Sequence, residues 1–486
     1  MNFHPDSRAA QGFRFISEQE EDSCMSATLV SDLKNLQVGQ VEDSDNALEL
    51  VSSDFGRLIH KRPKAVVNPR NAEEAARVFK YAYEHSIPLS TRGEAHTQTG
   101  QSLVEDGIVV SSSALNEIFE VDEEGLTATV GAGTVWGDLV EKIDPMGLVP
   151  RVLTNNLGVT IGGTLSVAGL GVASFRYGAQ GDNVEELEVV TPQGDVVNCS
   201  PENNRELFDL VRSGLGQFGL IAKARIKLRR RKPKNRTFIL LYDKIETLMA
   251  DSAKVMSEGK FDFIESWCVP LPVGFKTVEG QRRAFGEWFF PLHITKEFEE
   301  GESLNDSELL EGLSPYKKSH QEDRTALEFA FRLKPLFELW KRGPYWANTH
   351  PWMEGILPWN MSSFYVNTAL SKIPPPMLGG GHILLWPCSG VTSKIPLFMA
   401  PEGEHVMGFG ILPGIPKEYV DPVLEALDKA SDGISMVGGK RYLSGWINFD
   451  RAKWKQHFGP QWPVICEAKK KYDPKGLLNP GFIDYE

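Results

Sequence analysis

Along the first 235 residues the hydrophobic positions change period repeatedly, and each change marks an element. Ala65-Val66-Val67 is a short apolar run that reads as a strand. Asn71 then stands three residues before Glu74, a capping box with asparagine in place of serine or threonine, and Ala75, Val78, Phe79 and Ala82 follow at helical spacing. Ile87-Pro88-Leu89 predicts a short edge strand, because proline has no N–H for an inner ladder. Strands are expected at 107–111 and in a hairpin of 118–121 with 126–130 around Glu124-Gly125. Thr134 is placed to cap a helix carrying Val135, Leu139, Val140 and Ile143. Two strands, 184–190 and 196–199, flank the turn Pro192-Gln193-Gly194-Asp195. A helix at 206–211 precedes Leu220, Ala222, Ala224, Ile226 and Leu228, which alternate with Lys223, Arg225, Lys227 and Arg229 as a strand does.

The pattern changes beyond a basic run at 229–236, which reads as a solvated crossing between domains. Aromatic and branched strands are predicted at 238–242, 261–268, 284–291, 383–386 and 406–412, with helices at 326–340 and 419–430. Strands spaced among helices in this way predict an α+β domain, a sheet backed by helices. The tail, 454–472, reads as one helix stopped by Pro474. A chain of 486 residues exceeds one ordinary core, so two domains are expected, after a polar, acidic arm over residues 1–50. The formal net charge of −13 argues against nucleic acid as the partner. Five scattered cysteines without a C-x-x-C pair fit a reducing compartment rather than a disulfide framework. Residues 1–20 lack the pattern of a secretory leader, and no apolar run approaches a membrane span; a cytoplasmic location away from membranes is expected.

The chemistry concentrates in two small-residue stretches. The first is Thr91-Arg92-Gly93-Glu94-Ala95-His96-Thr97-Gln98-Thr99-Gly100-Gln101, glycines at both ends and one histidine between. Glycine tolerates positive φ, so such a loop can turn its N–H groups inward as an anion nest; a plain surface turn with a solvated histidine has the same composition. The second is 159–171, too small-sided to fill a core and suited to close backbone approach. Gly214-Leu215-Gly216-Gln217-Phe218-Gly219 matches the dinucleotide pattern G-x-G-x-x-G, but that motif needs a strand before it and a helix after it, and the order here is reversed. With no metal-ligand cluster, nucleophile turn or Walker motif in the sequence, chemistry falls by elimination to a bound organic cofactor.

Taken together, the R-G-x-x-H-x-x-x-G-Q loop at 92–101, Thr160-Ile161-Gly162-Gly163-Thr164-Leu165-Ser166, Phe175-Arg176-Tyr177-Gly178, the 214–219 glycine string, His350-Pro351-Trp352, Lys440-Arg441-Tyr442-Leu443, Trp454-Lys455-Gln456-His457-Phe458-Gly459 and Tyr472-Asp473-Pro474 resemble the FAD-linked oxidases of the vanillyl-alcohol oxidase type, and within them the cytokinin dehydrogenases. The resemblance implies an α+β fold: a two-part PCMH-type FAD-binding domain, 51–235 with 443–486, and an inserted α+β substrate domain, 236–442, whose antiparallel sheet is backed by helices. It implies FAD bonded covalently to His96, and cofactor contacts from Thr91, Gly93, Glu94, Ala95, Thr97, Gln101, Asn155, Thr160, Ser166, Leu170, Ile221, Tyr442 and Asn479. It further implies a small-molecule substrate whose electrons pass through the flavin to oxygen or a quinone-like acceptor. Three positions depart from the family: Asn155 stands for an aspartate that handles the substrate amine, Ser389 for an asparagine and Phe482 for a glutamine. Asparagine hydrogen-bonds but is no practical general base. Asn155 and Ser389 are therefore the expected substrate-facing positions. Oxidation of a cytokinin-type amine, oxidation of an alcohol, sugar or natural-product intermediate, and flavin binding without turnover remain open.

Overall fold

In the computed structural model, which describes residues 28–485, three sheets share the chain in sequence order. The expected N-terminal arm falls outside the described residues up to residue 27. The first sheet holds β1 (Gln40–Glu42), β2 (Ala65–Asn68), β3 (Leu89–Arg92) and β4 (Ile108–Ser111) in the order β1-β2-β4-β3, parallel apart from β1. Helix Ala72–His85 buries Ala75, Val78, Phe79 and Ala82 against it. Asn71 caps this helix through the Glu74 N–H at 2.8 Å, but Glu74 reaches back to the Arg70 N–H and guanidinium rather than closing a box on Asn71. The edge strand expected before the glycine loop begins only at Leu89, after the proline. Its outer side takes the chain's tail: Leu89 N–H donates to the Leu477 carbonyl at 2.9 Å and Asn479 N–H to that of Leu89 at 2.8 Å.

The second sheet is antiparallel and holds β5 (Ile118–Asp122), β6 (Thr127–Gly131), β7 (Leu148–Pro150), β8 (Val184–Val190), β9 (Val196–Cys199) and β10 (Leu220–Arg230). Its order is β5-β6-β10-β8-β9, with β7 also on β10. Thr134 does not cap helix Trp136–Ile143, and Val135 holds the cap position with no side-chain bond. The cause is a bridge between Val135 and Thr160, with the Thr134 carbonyl taken by Ile161 N–H at 2.9 Å, which fixes the chain one residue later than the sequence suggests.

The third sheet runs β14-β11-β13-β12-β16-β17-β15-β18 and is antiparallel throughout. Its strands are β11 (Lys234–Tyr242), β12 (Phe263–Val278), β13 (Gln281–Phe298), β14 (Lys317–Thr325), β15 (Met353–Pro358), β16 (His382–Ser389), β17 (His405–Leu412) and β18 (Lys440–Arg441). Helices Ile245–Glu258, Trp359–Lys372 and Val420–Met436 cover it, packing Leu248, Val366 and Leu427 against Leu240, Leu292, Leu385 and Phe409. The fold is thus α+β with a large antiparallel sheet backed by helices, as the resemblance implied. The basic run spans the end of β10 and the start of β11, and it is ion-paired rather than solvated: Arg229 to Glu297 at 2.7 Å, Arg231 to Asp144 at 2.7 Å and Arg236 to Asp323 at 2.7 Å.

Two expected long helices are broken. Residues 326–340 divide into Ala326–Ala330 and Lys334–Arg342, because Pro335 can begin a helix but cannot continue one. The tail divides into Arg451–Phe458 and Trp462–Tyr472 at Gly459, whose φ of +50° leaves the helical region, followed by Pro460.

Candidate functional site

A large cavity lies where the loops of the three sheets meet. One wall is the loop leaving β3. The carbonyls of Ala95, His96 and Thr97 are held by Phe55 N–H, the Gln98 amide and Gly56 N–H at 2.9, 3.0 and 3.0 Å. Among the described residues no backbone N–H from Gly93 to Gln98 has an acceptor in the protein, although Ala95 and Gln98 are buried. Buried N–H groups are almost always paired, so a row of unpaired ones facing a cavity is an anion cradle.

The loop keeps this shape because its ends are anchored. Asp54, 4% exposed, accepts from Gly100 N–H at 2.7 Å and from the Thr97 hydroxyl at 3.1 Å. Burial pushes the Asp54 carboxyl up to about 6, against those hydrogen bonds and the Arg92 charge. Gln101 ties the loop to the Leu443 carbonyl at 3.2 Å, and Thr99 bonds both Gly445 and Ile447. Gly93 is required by contact: a Cβ there would stand 2.2 Å from the Thr160 hydroxyl oxygen. That hydroxyl caps helix Ile161–Leu165, so Gly93→Ala must displace it into the cavity. Gly93→Ala is expected to fold and to be purified with less than half of the wild-type content of the FAD that the resemblance implies, read from its visible absorbance; wild-type content would remove this loop from the cofactor wall.

The other residues expected from the sequence stand around the same cavity. Thr91, Glu94, Thr160, Ser166, Leu170, Ile221, Tyr442 and Asn479 all line it, as do Gly93, Ala95, His96, Thr97, Gln101 and Asn155. Asn479, at φ +47°, receives Thr91 N–H at 3.3 Å and donates to the Gly216 carbonyl at 2.8 Å, joining tail, β3 and glycine string. The string itself is a turn between helix Arg205–Val211 and β10, with Leu215 and Gly216 at positive φ, so the dinucleotide reading stays excluded. Ser389, also expected from the sequence, ends β16 and is not among the residues lining the cavity, which that strand supplies from His382 and 384–386.

His96 sits in an aromatic frame. Its ring centroid is 4.1 Å from that of Phe55, 5.5 Å from Trp352 and 6.2 Å from Trp346, and Phe55 in turn stacks on His350 at 4.1 Å. Burial, with the charges of His350 and Lys341 adding to it, pushes the His96 imidazole down to about 4. At neutral pH it is therefore uncharged, with a nitrogen lone pair available to an electrophile.

Asn155 belongs to a buried polar cluster that the sequence did not reveal. Arg332 donates to its amide oxygen at 2.7 Å and grips Glu265 with two hydrogen bonds of 2.9 Å, while the Asn155 amide approaches Glu265 at 3.5 Å. Burial pushes the Glu265 carboxyl up, but the charge and hydrogen bonds of Arg332, aided by His293 and Asn155, more than reverse this and leave it below its ordinary value. Around Glu265 the wall is aromatic and aliphatic: Trp267, Trp340, His382, Leu384 and Trp386. Trp340 and His382 stack at 5.2 Å with their planes 16° apart. Glu354, also on the wall, accepts from the Ser444 hydroxyl at 3.0 Å, and burial pushes it up to about 7. The available signal for Glu265 was a carboxylate in the middle of the predicted strand 261–268, flanked by Ile264 and Trp267, where an unpaired charge would be prohibitive.

Comparison with known proteins agrees with this geometry. Residues 63–200 match a family described as an FAD binding domain, and residues 233–483 match the family described as cytokinin dehydrogenase 1, FAD and cytokinin binding. The chain is 30% identical over 446 residues to an uncharacterized oxidoreductase of the fasciation locus of Rhodococcoides fascians, covering 90% of this chain and 97% of that one. It is 31% identical over 468 residues to cytokinin dehydrogenase 9 of Oryza sativa subsp. japonica, covering 88% and 87%. Among solved structures, 6-hydroxy-D-nicotine oxidase from Arthrobacter nicotinovorans shares the fold, with a TM-score of 0.70 at 19% identity over 92% of this chain and 98% of that one.

Proposed function

Because the chain belongs to the cytokinin dehydrogenase family of FAD-linked oxidoreductases, we propose that it oxidises a C–N bond of a small planar amine of the cytokinin type, with FAD tethered through His96. FAD supplies the two-electron acceptor, and oxygen or a quinone-like compound then takes the electrons from it. The chain's own residues supply the rest. The unpaired N–H groups of 93–98 hold the pyrophosphate, and Thr91, Thr160, Ser166, Leu170, Ile221, Tyr442 and Asn479 close the walls around the cofactor. The uncharged His96 ring presents the nitrogen that forms the tether.

The observation that carries the amine reading is the ionised Glu265 carboxylate set in an aromatic arm of the cavity. Each carboxylate oxygen keeps acceptor capacity after Arg332 is bonded, so Glu265 can receive an amine N–H where Asn155 cannot serve as a base. The flat faces of Trp267 and Trp386 suit a planar ring beside it. As the substrate carbon gives up its hydride the nitrogen becomes positive, and a prepaid negative charge beside it lowers that barrier. The proton on nitrogen then leaves to water, giving the neutral imine. A second reading, oxidation of an alcohol or sugar hydroxyl, is favoured by Asn155: its amide oxygen is occupied by Arg332, which leaves the NH2 as a donor to a hydroxyl oxygen.

Anaerobic mixing with an isoprenoid adenine, a sugar and a benzylic alcohol separates these readings. Bleaching of the oxidised flavin band by the adenine alone is the expected result. Bleaching by the sugar or alcohol alone selects the second reading, and no bleaching by any of them removes turnover on either class. Asn155→Asp is expected to raise the rate with the adenine, since it adds a second carboxylate beside Arg332; an unchanged rate with flavin intact would take Asn155 out of substrate contact.

A further inference from the structure

A second concavity, about 1140 Å3 counting its mouth, lies away from the flavin cavity. Its wall carries six cations, Arg151, Arg176, Arg205, Arg212, Lys227 and Lys394, against two carboxylates, Asp182 and Asp209. Arg176 pairs with Asp262 at 3.0 Å, while Arg205 and Arg212 share the one charge of Asp209. Asp182 is occupied by backbone, accepting from Ala179 N–H at 2.8 Å and Lys394 N–H at 2.7 Å. Among the described residues the ammonium groups of Lys227 and Lys394 have no acceptor. Arg151 donates only its Nε–H, to the Leu228 carbonyl at 3.4 Å, and rests its guanidinium 6.0 Å from the Tyr177 ring centre. Six cations against Asp182, Asp209 and Asp262 thus leave a surplus of three positive charges around one hollow, on a protein whose formal net charge is −13. Like charges gathered in a concavity repel, and surplus carboxylates elsewhere do nothing to relieve them beyond about 10 Å of screening. The arrangement is stable with an anion between them.

We propose that this concavity binds a phosphate group, free or carried on a small phosphate ester. Three separately mounted cations around a hollow match a compact anion of two negative charges better than a single carboxylate, which would leave two of them unmatched. Arg212, 8% exposed and stacked 3.8 Å over Phe208, gives the hollow a rigid charged floor. The rim comes from two parts of the fold: Arg151 and Lys227 from the second sheet, Lys394 from the loop after β16, seated by Lys394 N–H on Asp182 and by the Thr392 hydroxyl on the Ser174 carbonyl at 3.3 Å. Occupancy would therefore clamp the third sheet to the second, four residues from Asn155.

The test uses the flavin-loaded full chain, titrated calorimetrically with inorganic phosphate and separately with ribose 5-phosphate, at ionic strength held constant with chloride. Saturable binding is expected. It should weaken about tenfold in Lys394→Gln and disappear in Arg151→Gln/Lys394→Gln, with the visible flavin spectrum unchanged in both. Tighter binding of ribose 5-phosphate identifies an ester ligand, and equal binding identifies free phosphate. Lys394 is exposed on a loop, so its single variant keeps the test decisive if the double variant does not fold. Absence of saturable heat, or equal affinity in wild type and Lys394→Gln, would overturn the proposal.

Discussion

His96→Ala is expected to separate the flavin from the chain: acid precipitation should leave the wild-type pellet yellow and the variant pellet colourless, with the FAD mass increment present only on the wild-type polypeptide. Burial pushes the imidazole down to about 4, so at pH 7 roughly one ring in a thousand carries a proton and the nitrogen is free to form the bond. Among the described residues, the one other histidine lining the cavity is His382. His350 stacks behind Phe55, 4.1 Å from it, with one nitrogen held by the Phe55 carbonyl at 3.2 Å, and His382 lies in the aromatic arm against Trp340. The variant should still bind FAD reversibly. The N–H row of 93–98 is shaped by Asp54, Gln98, Thr99 and Gln101 rather than by His96, and removing the ring forfeits its contacts with Phe55, Trp352 and Trp346, each worth about 0.5–1.5 kcal/mol. An FAD adduct surviving in His96→Ala would place the tether elsewhere and end the assignment.

How much of this could be read without coordinates depended on what each signal reports. The glycine loop was legible because Gly93, Ala95 and Gly100 advertise close approach or positive φ, and the motif order then excluded the dinucleotide reading of 214–219. Long apolar alternation located β10 and the strands around Leu385 and Phe409. By contrast β14, Lys-Lys-Ser-His-Gln-Glu-Asp-Arg-Thr, has no apolar position to betray a strand; it is an edge held by β11 and by the ion pair of Arg236 with Asp323. Helix ends failed where tertiary contacts decided them, as at Val135, which is bridged to Thr160. The cavity's polar cluster was illegible for a related reason. Asn155, Glu265 and Arg332 are separated by 110 and 67 residues, and only the meeting of three segments turns a lone asparagine, a strand carboxylate and a residue between two short helices into one hydrogen-bonded unit.

That cluster sets the other large effect. Arg332→Leu is expected to destabilise the protein by about 3–5 kcal/mol at pH 7, the usual consequence of stripping one partner from a buried ion pair. Both partners are out of water, with side chains 9% and 11% exposed, so solvent does not soften the loss. The pH dependence should change sign. In the wild type Glu265 lies below its ordinary value, so its contribution is fully present above about pH 4.5 and is lost as pH falls through the depressed folded value. Without Arg332, burial, the largest influence, is opposed only by His293 and Asn155 and lifts the carboxyl above its ordinary value. The charged form then costs stability at neutral pH, and acidification through the raised value recovers it. Urea midpoints measured at several pH values between 5 and 8 should therefore rise toward the acid end in Arg332→Leu and not in the wild type. Glu265→Gln added to Arg332→Leu should restore much of the neutral-pH stability, because an amide can be buried without a charge to balance. If the single variant instead kept the wild-type midpoint at pH 7, Glu265 would not be a buried anion. The amine would then lack its acceptor, and the hydroxyl reading carried by the Asn155 amide would become the stronger one.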